Sequence, residues 1–149
     1  MQNENNKKDL TLVIGRDARI SGKMVNSLVC ATLQGLGIHV IDLGLSTTPT
    51  VEVMVPELNA DGGIILTASH NPKEWNALKL LNEKGEFINS ENGAEVLKLA
   101  EDESFDFAQV DDRGTSKRQE DAFDIHIKKN LKLKMEGAAI IKKKNYRIV

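Results

Sequence analysis

Three apolar runs of strand length, Leu10–Ile14, Ile38–Leu43 and Gly62–Thr67, are separated by two segments whose apolar residues recur at helical spacing. A strand–helix–strand–helix–strand order of this kind predicts parallel strands joined by right-handed crossovers. Strands that lack polar alternation must be covered on both faces, which places helices on either side of one sheet. The first helical segment starts at Ser21, carries Met24, Val25, Leu28, Val29, Leu33 and Leu36 as its apolar face, and stops at Gly37. In the second, Thr48 and Pro49 form a cap and first-turn pair, and Val51, Met54, Val55 and Leu58 make the buried stripe. Pro56 ends or kinks that helix.

Beyond Thr67 the pattern predicts a hairpin, with arms at Ala77–Leu81 and Phe87–Ile88 around the turn Asn82–Glu86. Ser90 caps a helix reaching Glu101, Ser104–Arg113 reads as a loop or short strand, and Lys117–Leu131 as an amphipathic helix with Phe123, Ile127 and Leu131 on its apolar face. A short helix is expected at Met135–Lys143, and Tyr146–Val149 reads as the first half of a strand. The expected organisation is one domain over residues 1–143, with residues 144–149 opening a second.

Composition closes off several classes of function. With 20 Lys and Arg against 22 Asp and Glu, the net charge of −2 provides no field to concentrate nucleic acid or an anionic membrane. Lys128, Lys129, Lys132, Lys134, Lys142, Lys143 and Lys144 form a basic stretch, but with 4 Phe, 1 Trp and 1 Tyr in the chain it lacks the aromatic platforms of a nucleic-acid surface. The one cysteine, Cys30, has no disulfide partner and no zinc-site companion, and a small buried thiol is the expected reading. No apolar run approaches the ~20 residues of a membrane span, and Met1–Asp9 is too polar for a signal peptide, so a cytoplasmic location is expected. His39 and His126 fall on a strand start and a helix, and structural or solvent roles are expected of them.

The chemistry gathers after the strands. In an open parallel sheet ligands bind beyond the carboxyl ends, which here are Gly15–Gly22, Gly44–Thr50 and Thr67–Lys79. These segments supply Arg16, Asp17, Arg19 and Ser21, then Ser46, Thr47 and Thr48, then Thr67-Ala68-Ser69-His70-Asn71-Pro72. Guanidiniums, hydroxyls and helix N-terminal N–H groups suit a phosphate. Ser69 follows a buried strand by two residues and is held in a bend by Asn71-Pro72, which exposes its hydroxyl. Ala68 and His70 stand where a serine-hydrolase elbow needs glycines, so acyl transfer is a poor reading. A serine placed this way is suited to carrying a phosphoryl group, and Lys79 is the next cation able to serve as an acid/base or phosphate partner.

The strings Gly15-Arg16-Asp17-Ala18-Arg19-Ile20-Ser21-Gly22, Gly44-Leu45-Ser46-Thr47-Thr48-Pro49, Thr67-Ala68-Ser69-His70-Asn71-Pro72 and Asn76-Ala77-Leu78-Lys79 occur in this order. In this order they resemble the first domain of the α-D-phosphohexomutases, the superfamily of phosphoglucomutase, phosphomannomutase and phosphoglucosamine mutase. The resemblance is strong from about Leu10 to about Phe87. It implies an α/β domain of three layers, α/β/α, with a mostly parallel, mixed sheet. It further implies an isomerase-class phosphotransferase that interconverts hexose 6-phosphate and hexose 1-phosphate through a hexose 1,6-bisphosphate. Ser69 would be the phosphoserine and, through its phosphate, a ligand of Mg²⁺. His70 and Lys79 would flank the transferring group and handle the hydroxyl proton, while Arg16, Asp17, Arg19, Thr48 and Asn71 would bind phosphate or support the site. The other partners implied are the remaining domains of the same polypeptide, because the family's Asp-Gly-Asp-x-Asp metal loop, Glu-x-Ser-Gly sugar loop and late phosphate loop do not occur in these 149 residues. The family's upstream glycine- and arginine-containing loop is also missing before Leu10, and Ala77 stands where many relatives carry glycine. A phosphosugar-binding module that keeps the serine loop without turnover is the alternative these departures leave open.

Overall fold

The computed structural model describes residues 9–103, 105–133, 143, 144, 146 and 147. Three strands, β1 (Thr11–Arg16), β2 (His39–Leu45) and β3 (Gly62–Leu66), lie parallel with β1 at the centre. Two edge strands extend the sheet: β4 (Leu78–Leu81) runs antiparallel to β3, and β5 (Ser116–Arg118) runs parallel to β2. The order is β4-β3-β1-β2-β5, a mixed and mostly parallel sheet.

Helices cover both faces, as the unbroken apolar strands require. On one side α1 (Gly22–Gly35) packs Val25, Val29, Cys30 and Leu33 against Leu12, Ile14, Val40, Ile64 and Leu66. On the other, α2 (Thr48–Glu57) buries Val51, Met54 and Val55 against Val13, Ile41, Leu43 and Ile65. That second core is closed by α4 (Ala122–Leu131), which contributes Ala122 and Ile125. A polar tie joins α4 to α2, since the His126 ring sits 3.0 Å from the hydroxyl of fully buried Thr50, and Thr50 in turn lies 2.8 Å from the Thr47 hydroxyl. The Lys129 ammonium adds a 2.8 Å ion pair that holds the exposed Glu57 carboxyl below its usual pKa. The helix α3 (Ser90–Glu101) buries none of its residues.

Several expected details are corrected. The cap of α2 is Thr47 rather than Thr48, its side chain accepting from the Thr50 N–H at 3.3 Å, whereas the helix does end beside Pro56, at Glu57. Asn89, not Ser90, caps α3 through a 2.8 Å bond from Asn92 N–H. Ser21 makes no side-chain cap; its hydroxyl instead accepts from Asn76 Nδ2 at 3.1 Å. The expected helix Lys117–Leu131 divides into β5 and α4, because the free edge of β2 offers Lys117 and Arg118 a ladder that an isolated helical turn cannot match. The apolar faces also rotate. Met24 and Leu28 on α1, and Phe123, Ile127 and Leu131 on α4, are exposed, while Val25, Val29, Ile125 and the small Ala122 meet the sheet. Within Ser104–Arg113 the described residues form a single short turn of 3-10 helix at Val110–Asp112 and no strand. The hairpin is present, closed by an antiparallel bridge between Leu81 and Phe87. Apart from Lys143, Tyr146 and Arg147, the elements expected at Met135–Lys143 and Tyr146–Val149 lie outside the described residues, and Tyr146 and Arg147 carry no strand. Among the described residues no helix is long and apolar enough to cross a membrane.

At Gly15 the β1 backbone lies against α2; a Cβ there would overlap Val51 Cγ2 and lie 3.1 Å from Ser46 Cβ. Gly15→Ala is therefore expected to lower stability by ~1–3 kcal/mol through overpacking, read as a shift of the urea midpoint at unchanged slope.

Candidate active site

Parallel pairing brings three carboxyl ends to one edge: Arg16 ends β1, Leu45 is its partner on β2, and Leu66 its partner on β3. The loops that follow carry Arg16–Gly22, Ser46–Thr48 and Thr67–Asn76, so Arg16, Thr48 and Ser69 share that edge. Main-chain bonds extend the ladder outward, from Asp17 N–H to Leu66 O at 3.0 Å and from Ser46 N–H to Arg16 O at 2.8 Å.

Asp17 organises the first and third loops. Its Oδ2 accepts from the hydroxyl of buried Thr67 at 2.7 Å and from Arg19 Nε at 3.2 Å, and its Oδ1 accepts from Arg19 N–H at 3.0 Å. Thr67 Oγ1 then accepts from Ser69 N–H at 3.0 Å. Arg19 directs its terminal nitrogens at the same loop: Nη2 donates to Ser69 O (2.7 Å) and Asn71 O (2.9 Å), Nη1 to Pro72 O (2.8 Å) and Trp75 O (3.0 Å). Asn71 folds back on Ala68 O through both its backbone N–H and its side-chain amide, each at 3.0 Å. The loop is thus closed from inside and clamped from outside.

Within it Ser69 is exposed and adopts φ +53°, the left-handed region that a side chain with a Cβ rarely occupies. His70 is exposed beside it, with Nδ1 3.4 Å from Ser69 Oγ. Lys79 lies on β4 opposite Ile65, and its ammonium rests over the Phe87 ring, 5.7 Å from the centroid, rather than bonding to Ser69. Among the described residues Arg16 makes one hydrogen bond, 3.2 Å from Nη1 to Asp17 O, and its other guanidinium N–H groups have no partner there. In the second loop Thr47 is engaged in capping, and the Ser46 hydroxyl is buried with no hydrogen-bond partner among the described residues. The structure therefore brings together Arg16, Asp17, Arg19, Ser69, His70 and Asn71, and leaves Lys79 a strand away. Thr67 and Asn76 are connecting residues that the sequence reading missed. A hydroxyl two residues before Ser69 is the usual spacing of a side chain that accepts from a local N–H, and that signal was available for Thr67.

A three-layer α/β domain whose carboxyl-edge loops converge on one exposed, conformationally clamped serine is the class of site these residues define. The family model described as phosphoglucomutase/phosphomannomutase, alpha/beta/alpha domain I, matches residues 1–107, and the chain belongs to this family. Among similar proteins, a phosphoglucomutase/phosphomannomutase from Thermococcus kodakarensis is 36% identical over 138 residues, covering 93% of this chain and 30% of the relative. A phosphoglucosamine mutase from Alkaliphilus metalliredigens is 45% identical over 78 residues, covering 52% of this chain and 17% of the relative. The crystal structure of a phosphoglucomutase/phosphomannomutase family protein from Burkholderia thailandensis shows the same fold, with TM-score 0.69 at 23% identity over 85% of this chain and 29% of that one. The chain thus spans less than a third of the length of these relatives.

The family implies a metal cofactor. Among the described residues no group of three or more His, Cys, Asp or Glu side chains is placed to hold a metal ion. Asp17, the carboxylate nearest Ser69 in the hydrogen-bond network, is already taken up by Thr67 and Arg19. A divalent ion seeks about six oxygens, and among the described residues the hydroxyl of exposed Ser69 contributes one from this edge.

Away from the loops, burial and then the Asp42 charge push the Cys30 thiol from its ordinary 9.0 up to about 11. The folded state favours the neutral thiol, so this preference holds fully below pH 9 and fades as the pH rises through 11. At pH 8 the thiolate should be about a hundredfold scarcer than in the unfolded chain, and alkylation by iodoacetamide correspondingly slower. Thr67→Val keeps the shape and removes the hydroxyl shared by Asp17 and Ser69 N–H; it is expected to cost ~1–3 kcal/mol by urea unfolding.

Proposed function

We propose that this chain is the phosphoserine-bearing domain of a hexose-phosphate mutase. The observation that carries the reading is Ser69: an exposed hydroxyl held in a left-handed turn just beyond a buried parallel strand, in a chain that belongs to this family. In the forward half-reaction the phosphoserine O–P bond breaks as a hydroxyl oxygen of a hexose monophosphate bonds the same phosphorus, giving a hexose 1,6-bisphosphate, and the hydroxyl proton is passed on to leave a free Ser69 hydroxyl. After the bisphosphate turns over, its other phosphoryl group returns to Ser69 and the isomeric monophosphate leaves.

Each residue has a part in this chemistry. His70, 3.4 Å from Ser69 Oγ, is placed to hold the hydroxyl proton, with Lys79 as the second candidate from the neighbouring strand. Arg16 retains donors for a phosphate, and Asp17, Arg19 and Asn71 support the loop, while Thr48 opens the helix at the same edge. Mg²⁺ bound to a Ser69 phosphate oxygen would neutralise charge on the transferring group, with its carboxylate ligands supplied by other domains of the same polypeptide. Residues 1–143 form the first domain in this reading and residues 144–149 open the next, in an enzyme of the cytoplasm. Hexose phosphates and their 1,6-bisphosphate are its ligands. Relatives named phosphoglucosamine mutase and phosphoglucomutase/phosphomannomutase support the substrate class and leave the sugar to be assayed.

In the complete polypeptide, Ser69→Ala should abolish nearly all mutase turnover and prevent phosphoryl uptake by intact mass while leaving the melting curve unchanged, since an exposed hydroxyl adds little packing. Normal turnover in that variant would overturn the assignment. The 149-residue chain alone should show no hexose-phosphate isomerisation in a coupled assay with glucose 1-phosphate and glucosamine 1-phosphate. Activity within about tenfold of the complete protein, a barrier difference of only ~1.4 kcal/mol, would mean that the other domains supply nothing essential.

A further inference from the structure

In the motif, Arg19 reads as a cation available to a phosphate, yet in the fold every one of its donors is committed. Nε bonds Asp17, and the four Nη protons reach the carbonyls of Ser69, Asn71, Pro72 and Trp75, which accounts for all five N–H groups of a guanidinium. The side chain is only 11% exposed. We propose that Arg19 is a positioning residue, which holds Ser69 in its left-handed conformation and thereby fixes the direction of the serine hydroxyl.

The two peptide groups that define the Ser69 backbone are gripped from the same anchor. Its N–H donates to Thr67 Oγ1, its carbonyl accepts from Arg19, and both Thr67 and Arg19 are held by the Asp17 carboxylate. A left-handed serine persists only where its surroundings over-determine it, and this closed circuit does so. Asp17 also offsets the Arg19 charge at 3.2 Å, so the pair makes a structural clamp and leaves anion binding to other groups such as Arg16. Lysine cannot replace it, because one ammonium carries three donors at a single point and cannot span four carbonyls. A phosphate ligand, by contrast, would tolerate lysine in part.

The inference rests on the phosphoserine reading of Ser69 for its catalytic consequence, though not for its structural one, and the test separates the two. Hydrogen exchange on the chain carrying Arg19→Lys should show the hydrogen-bonded amides of Ser69, Asn71 and Trp75 exchanging about tenfold faster or more, with β1 and β3 still protected. In the complete polypeptide the same substitution should lower kcat about a hundredfold with KM within about threefold, and slow phosphoryl uptake by Ser69 from a hexose 1,6-bisphosphate in step. Should Arg19→Lys fail to fold, Arg19→Gln, which keeps two N–H donors, serves for the same measurements. Loop exchange within about twofold of the wild type, or a raised KM at unchanged kcat, would overturn the proposal and make Arg19 a substrate ligand. If the wild-type polypeptide takes up no phosphoryl group, the mutase reading fails, and the exchange data alone decide the role of Arg19.

Discussion

Everything at the carboxyl edge depends on β1 being hydrogen-bonded in parallel on both sides, to β2 and to β3. Parallel neighbours end at the same edge, and their connections must return outside the sheet, which is why α1 and α2 lie over opposite faces. Val13 and Ile14, fully buried on opposite faces of β1, are the residues that make this arrangement favourable. Take away that two-sided burial and nothing would bring Asp17 beneath Thr67, fifty positions later in the chain.

The serine loop shows how charge is used once the edge exists. Asp17 and Arg19 are two residues apart in sequence and could have formed a local surface pair of little consequence. The β1–β3 register instead places them under residues 67–75, where one carboxylate and one guanidinium satisfy a hydroxyl and four carbonyls. Arg16, three residues earlier, lies in the same motif and makes a single hydrogen bond among the described residues. Two arginines of one string therefore do different things, and only the tertiary register separates them.

Much of the architecture was readable from residue order, since Val13, Ile41 and Ile65 belong to apolar runs that admit only buried strands. Ser69, His70 and Asn71 were equally visible, because Asn71-Pro72 breaks the chain immediately after such a run. What escaped reading lay in choices between neighbours. Thr47 and Thr48 are both competent caps, and Val25 and Met24 are both apolar; packing against a specific sheet decides between them. The pair Lys117-Arg118 looks helical by composition and becomes a strand because β2 has an open edge. The Arg19 clamp needed four carbonyls far away in sequence, and no local pattern encodes them.

The placement of β5 and α4 has a consequence for how the domain is made. Residues 1–107 match the family model, yet β5 pairs with β2 only from Ser116 onward and α4 closes the second core with Ala122 and Ile125. While the chain is being synthesised, β1 to β4 can assemble with α1 and α2, but the outer edge of β2 and the floor beside Val13 and Ile41 stay open to water. Both are sealed by a segment that the ribosome delivers about forty residues after the serine loop. A nascent chain paused between the two would display an unpaired strand edge next to uncovered apolar surface, the combination that chaperones bind and aggregates grow from.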